Sequence, residues 1–146
     1  MKNIRAATLA DLNRIAEIVI FNYRMNFYPI FQNDEFYFSE LQVPSLSKEY
    51  ENAVHTLWVY DDGVVKGFVQ VEGREVKKLF VEPILQGKGI GSALLTYAIN
   101  ELQADFLWAL EKNTKAIAFY ERHGFHPTSE KTEEDTSEYL IRLQRT

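Results

Sequence analysis

The residues Val81-Glu82-Pro83-Ile84-Leu85-Gln86-Gly87-Lys88-Gly89-Ile90-Gly91-Ser92 carry the clearest chemistry in this sequence. They begin where an apolar segment, Leu79-Phe80-Val81, ends. They close where a helical pattern starts, with Ile90, Ala93, Leu94, Tyr97, Ala98 and Leu102 recurring on one face. Strand, glycine loop and helix in that order make a cradle for an anion. Glycine has no Cβ, so backbone N–H groups can gather round a phosphate. The first turn of the helix adds N–H groups without intrahelical acceptors and the positive end of the dipole. The ligand expected here carries a pyrophosphate. The Walker pattern fails, because Lys88 lies inside the glycine run. The dinucleotide fingerprint also fails, because Gly87, Gly89 and Gly91 have the wrong spacing. What fits is Gln-x-x-Gly-x-Gly, read as Gln86, Gly89 and Gly91.

A second patterned segment runs from Asn113 to Phe125. Asn113 opens a helix, Ala116 follows, then Phe119-Tyr120, and Gly124-Phe125 closes it; the apolar strand Phe106 to Leu110 lies between the two segments. Together, and in this order, they resemble the GNAT acetyltransferase superfamily, over nearly the whole chain. The resemblance implies an N-acetyltransferase that passes the acetyl group of acetyl-CoA directly to a primary amine of a small molecule or a peptide, with no metal. Two alternatives stand beside it. One is a protein lysine or N-terminal acetyltransferase; the other is a coenzyme A-binding regulatory protein without turnover.

The resemblance also implies roles for particular residues. Gln86, Gly87, Lys88, Gly89, Ile90, Gly91 and Ser92 would hold the pyrophosphate. The backbone at Phe80 and Val81 would bind the pantetheine arm and supply an oxyanion donor, and Asn113, Phe119 and Tyr120 would complete the coenzyme site. Tyr120 would be the acid that faces the sulfur; otherwise it is a half-buried aromatic of the helix stripe formed with Ala116 and Ile117. A lysine-like amine has a pKa near ~10.4, so about one molecule in two thousand is neutral at pH 7 and a base is needed. Glu75 is the leading base. It stands eleven residues before Gln86, the offset of the catalytic glutamate in the histone-type branch of the family. Its plainer reading is a solvated strand carboxylate paired with Lys77 or Lys78. Glu72 is the second candidate. Simple alternation puts Glu75, Lys77, Leu79 and Val81 on one strand face and Val76, Lys78 and Phe80 on the other.

The acceptor side is sought in the aromatic segment from Phe21 to Phe38, which holds eight aromatic side chains. Tyr23, Tyr28 and Tyr37 are the substrate candidates, because a phenol buries its ring and keeps a polar tip. Asp34, Glu35 or Glu40 beside that wall would suit a cationic amine.

The elements that must position these residues can be sketched. Ile4 to Ala6 is a short strand; Thr8 to Asp11 has the form of a capping box ahead of a helix carrying Leu12, Ile15, Ala16 and Val19. Ser45 to Val54 reads as another helix. Strands follow at His55 to Tyr60, at Val64 to Val71 after the Asp61-Asp62-Gly63 turn, and at Glu75 to Val81; Gly67 suggests a bulge. Gly124 stops the last helix. Pro127 to Glu138 reads as a polar loop, and Tyr139, Ile141 and Leu143 alternate as a final strand. The fold class expected is α+β, the GNAT fold: one domain over 1–146, a mostly antiparallel sheet, helices on both faces, and two strands that splay apart beside the glycine loop.

Composition narrows the function classes. With 146 residues the chain can bury a core. It has no cysteine, which excludes disulfides, thiolate nucleophiles and cysteine zinc sites. His55, His123 and His126 lack metal-ligand spacing. A net charge of −5 argues against nucleic acid and suits a cationic partner. No apolar run is long enough to cross a membrane, and the N-terminus shows no signal-peptide pattern. The expectation is a cytoplasmic protein with no membrane or nucleic-acid partner, and the family's habit of pairing makes a homodimer a further expectation.

Overall fold

The strand Val65–Glu72 (β3, third of seven) is buried at almost every position. A strand of that kind must be covered on both faces. Phe68 points to one side, into a core with Leu12, Ile15, Val19, Leu46 and Tyr50. Val69 and Val71 point to the other, against Ile90, Leu94, Leu95 and Ala98. The computed structural model describes residues 3–135 and 138–146; Met1, Lys2, Thr136 and Ser137 lie outside the described residues.

The chain forms one sheet in the order β1 (Ile4–Ala6), β2 (Leu57–Asp61), β3, β4 (Glu75–Val81), β5 (Phe106–Leu110), β7 (Glu138–Arg145), β6 (Phe125–Asp135). All neighbours are antiparallel except β4 and β5. The α+β architecture is therefore as expected. Helices α1 (Leu12–Asn26), α2 (Tyr28–Phe31) and α3 (Val43–Tyr50) precede β2; α4 (Ile90–Leu102) joins β4 to β5, and α5 (Thr114–Arg122) joins β5 to β6. Asp11 links the entry of α1 to the sheet edge. Its carboxylate accepts from Thr8 N–H at 2.8 Å and from two nitrogens of Arg5. The Arg5 guanidinium holds that carboxyl below the usual range.

The parallel pair is the element that matters for function. β4 and β5 pair only at Glu75–Phe106 and Val76–Leu107. Beyond those two positions the strands separate, and the gap opens toward the loop that follows β4.

Three local features differ from what the sequence suggests. The segment from Phe125 to Asp135 is a strand rather than a polar loop. It lies at the sheet edge, where Pro127 and a polar composition are tolerated because one side needs no ladder partner. The bulge expected at Gly67 falls one residue earlier, since Tyr60 pairs with Gly67 but Asp61 with Val65. Gly67 itself serves close packing: a Cβ there would meet Phe80 O at 3.0 Å and Leu94 Cδ1 at 3.1 Å. The aromatic segment is also more regular than it reads. α1 runs on to Asn26, and a π-type turn covers Phe36–Glu40.

Candidate active site

The face assignment along β4 is the main correction. Val71 pairs with Val76, but Gln70 pairs with Lys78, so Lys77 is an inserted residue. A bulge of this kind puts two successive side chains on one face. Val76, Leu79 and Val81 turn toward α4. Glu75, Lys77, Lys78 and Phe80 all turn toward α1. Lys78 Nζ lies 5.9 Å from the Tyr23 ring centre and 5.3 Å from that of Tyr50. The Phe80 ring packs on Tyr23 and Phe68. Simple alternation fails here because the period of two holds only while the two strands advance together.

The ladder also decides which backbone groups face the gap. Glu82 N–H donates to Lys66 O at 2.9 Å, and the register of Phe80 with Phe68 continues that bond set. Alternation then spends the Phe80 backbone on β3 and turns the Leu79 and Val81 N–H groups away from it, toward the side where β5 departs. The Val81 carbonyl accepts from Asn22 Nδ2 at 2.9 Å and from Gln86 Nε2 at 3.3 Å.

The loop after β4 has the geometry its glycines require. Gly87 and Gly89 have φ of 81° and 85°, and an added Cβ at either would meet nothing within 4 Å. They are needed for backbone conformation, and the space before them is open. Ala93 N–H closes the first turn of α4 on Gly89 O at 3.0 Å. The N–H groups of Ile90, Gly91 and Ser92 precede that bond and have no intrahelical acceptor. Gly91 plays another part, for its Cβ position lies 3.5 Å from Phe119 Cζ, where α5 crosses α4. Lys88 is exposed. These features fit a pyrophosphate: free donors, open space and a dipole end of the right sign.

Gln86 does something the sequence does not reveal. Its amide turns inward and donates to Asn22 Oδ1 at 3.0 Å. Asn22 is 1% exposed and donates to both Ile18 O and Val81 O at 2.9 Å. One buried side chain thus ties α1, the end of β4 and the glycine loop together. Its signal in the sequence is slight, a single polar residue in the apolar stretch of α1.

On α5, Asn113 caps the helix, its Oδ1 accepting from Ala116 N–H at 3.2 Å. Tyr120 is half-buried, with its ring edge-on to Phe119 and Phe125. Although part of the ring remains open, the dense surroundings push its phenol up to about 12 by desolvation. It stays protonated at neutral pH.

A cleft of about 540 Å³ opens on the α1 face where β4 and β5 part. Tyr23, Phe27, Phe31, Phe36 and Tyr37 form its aromatic wall, and Glu75 and Lys77 reach it from β4. Trp108 and Leu110 of β5 face them. Glu75, Tyr23 and Tyr37 are therefore brought together. Tyr28 and Tyr120 are not among the lining residues; Tyr28 hydrogen-bonds Asp34 and packs edge-on to Tyr37. The acids Asp34, Glu35 and Glu40 are exposed and lie outside the lining. The charged groups of the cleft are Glu75 and Lys77, 3.9 Å apart. Glu72 is exposed, lies directly across the ladder from Glu75 at the end of β3, and is not among the lining residues. Among the described residues no group of three His, Cys, Asp or Glu could hold a metal, and no helix is long and apolar enough to cross a membrane.

Comparison with known proteins follows the same lines. The model of the acetyltransferase (GNAT) domain matches residues 53–127, just over half of the chain. Peptidyl-lysine N-acetyltransferase YiaC of Escherichia coli K12 is 41% identical over 71 residues, which cover 47% of this chain and 49% of that one. The chain spans about half the length of the curated relatives it matches. The solution structure of apo-form YjaB from Escherichia coli superposes with a TM-score of 0.70 at 22% identity, covering 98% of this chain and 96% of that one. The PaiA N-acetyltransferase of Thermoplasma acidophilum, solved in complex with coenzyme A, gives 0.66 at 18% identity, with 97% of each chain covered. These structural likenesses concern the fold.

Proposed function

The chain belongs to the GNAT acetyltransferase family, and from that premise we propose that it transfers the acetyl group of acetyl-CoA directly to a primary amine of a small molecule or a peptide. The observation that carries the proposal is that the anion cradle and the aromatic cleft both adjoin the place where β4 and β5 part. The glycine loop and the free N–H groups of α4 lie at one end of the β4–β5 gap. The aromatic cleft with Glu75 lies where the two strands part.

When bound, acetyl-CoA supplies an activated acyl carbon in a thioester. The chain's own residues do the rest. The loop from Gln86 to Ser92 holds the pyrophosphate with backbone donors, and Asn113 and Phe119 flank the coenzyme. Glu75 takes a proton from the amine. The N–H of Val81 donates to the acyl oxygen as negative charge grows there, the moment at which a fixed donor helps most. Tyr120 gives its proton to the departing sulfur. Nitrogen gains a bond to the acyl carbon, the carbon–sulfur bond breaks, and one proton moves to Glu75 and one to the thiolate. A phenol pushed up to about 12 is a reluctant acid. Its help therefore belongs at the low end of the ~10²–10⁴-fold range for general acids. With no cysteine in the chain, transfer does not pass through an acyl-cysteine. This reading places the protein in the cytoplasm, where acetyl-CoA and amines meet, and the pairing habit of the family makes a homodimer part of it.

Lysine side chains of proteins are a second reading, favoured by the name of the YiaC relative. A cleft of about 540 Å³ with an aromatic wall is of a size for a small amine. Calorimetry with acetyl-CoA, followed by a thiol-release screen of amines, polyamines and lysine peptides, tests both. Wild type should bind acetyl-CoA and release thiol with at least one amine, and Gly89→Asp should not bind. No binding by wild type, or equal binding by the variant, overturns the proposal.

A further inference from the structure

We infer that the acceptor amine also carries an anionic group, of which a carboxylate is the natural form, on an apolar body. The inference rests on the acetyltransferase reading of the cleft and deepens it.

The bulge in β4 is its source. By turning Lys77 and Lys78 onto the same face, it puts the Lys77 ammonium in the cleft beside the carboxylate of Glu75 and the Lys78 ammonium against the ring of the wall residue Tyr23. Lys77 Nζ lies 3.9 Å from Glu75 Oε1, a long contact that leaves the ammonium room for another partner. Lys78 has no carboxylate partner among the described residues. It rests instead against the rings of Tyr23 and Tyr50. Tyr50 is 5% exposed, and burial pushes its phenol up while the charge of the Lys78 ammonium and a hydrogen bond with it pull it down, so Tyr50 holds the Lys78 head group in place. Two cations beside an aromatic cleft are a poor site for a polyamine or a bare cation. They suit an anion, because Lys77 has only a long contact to Glu75 and Lys78 has no carboxylate partner among the described residues, so each can offer a charge-assisted hydrogen bond to a bound acceptor. Glu75 then receives the amine, Lys77 and Lys78 receive the anion, and Phe27, Phe31 and Trp108 cover the apolar body.

The test uses matched probes that differ only in this charge: 4-(aminomethyl)benzoate against 4-(aminomethyl)benzamide, and phenylalanine against phenylalaninamide. Binding is read from Trp108 fluorescence in a Trp58→Phe background, since these are the two tryptophans of the chain. This readout needs no turnover. In at least one pair the carboxylate should bind about tenfold more tightly, the lower end for a charge-assisted bond in a partly open site. Lys77→Gln and Lys78→Gln should each erode the preference, Lys78→Arg should keep it, and acetyl-CoA affinity should stay unchanged in all three. Lys77 is exposed, so Lys77→Gln tests the point even if loss of Lys78 perturbs folding. Equal or weaker carboxylate binding in both pairs, no binding of any probe, or a preference that survives both glutamine variants overturns the inference. Acetyl-CoA binding and thiol release, measured separately, report on the acetyltransferase reading itself. A protein that acetylates neutral amines or lysine peptides best would keep that reading and lose this one.

Discussion

Replacing Asn22 by Leu should weaken both the fold and coenzyme binding, although Asn22 lies on a helix and outside the glycine loop. Leucine has the same branched skeleton and is somewhat larger, so the site stays filled and three hydrogen bonds are lost. Those are Nδ2 to Ile18 O and to Val81 O, both 2.9 Å, and the bond from Gln86 Nε2 at 3.0 Å. Each is worth about 0.5–1.5 kcal/mol net. Gln86 and the Val81 carbonyl still have each other at 3.3 Å, so neither is fully stranded. Leucine also recovers some apolar burial. The balance is a destabilisation of about 2 kcal/mol, or a fall in Tm of roughly 4–8 °C for a domain near 150 residues. Asn22→Asp should be worse at neutral pH, because a carboxylate cannot donate to Val81 O and would sit buried against it. Scanning calorimetry gives the Tm, and titration calorimetry gives the acetyl-CoA Kd, which should rise several-fold as the loop loses its anchor. A Tm within a degree of wild type, or an unchanged Kd in a folded variant, would refute the claim that this side chain sets the loop.

Further outcomes are expected at Gly89 and Gly91, at Tyr120 and at Glu75. Gly91→Ala should leave the free protein as stable or stabilise it by up to ~1 kcal/mol, since its Cβ makes ordinary contact with Phe119 and alanine favours a helix. Gly89→Ala, at a φ of 85°, should destabilise by roughly 1–2 kcal/mol, so urea titrations of the two should shift in opposite directions. Tyr120→Phe should lower kcat more than it raises the acetyl-CoA KM, as steady-state kinetics would show. The same variant should lose less stability in alkali. A phenol at about 12 in the fold and ~10 when unfolded contributes fully below pH ~10 and loses that contribution as pH rises toward 12. Equal alkaline melting curves for the two proteins would show that the Tyr120 phenol is not buried enough to matter. Glu75→Gln should remove the acidic limb of the pH–rate profile, and a retained limb would shift the base to Glu72 or to water.

Much of this fold was legible locally. The positive φ of Gly87 and Gly89, the Asn113 cap and the stop at Gly124 depend on residues within one turn of each other, so their types announce them. The apolar runs of β3 and β5 and the stripe of α4 likewise state which faces must be covered. The edge strand at Phe125–Asp135 was hidden, because its pairing with β7 supplies what its own polar residues do not express. The cleft was hidden for a stronger reason. Whether Lys78 faces Tyr23 or α4 depends on one extra residue opposite Gln70, and nothing in β4 alone records that count. Asn22 and Gln86 are 64 residues apart and meet only because α1 lies across the end of β4. The elements, the anion cradle and the family likeness follow from the order of the amino acids, since these rest on neighbours along the chain. Which charges enter the cleft and what anchors the loop follow from folding, since these rest on register and on contacts between distant segments.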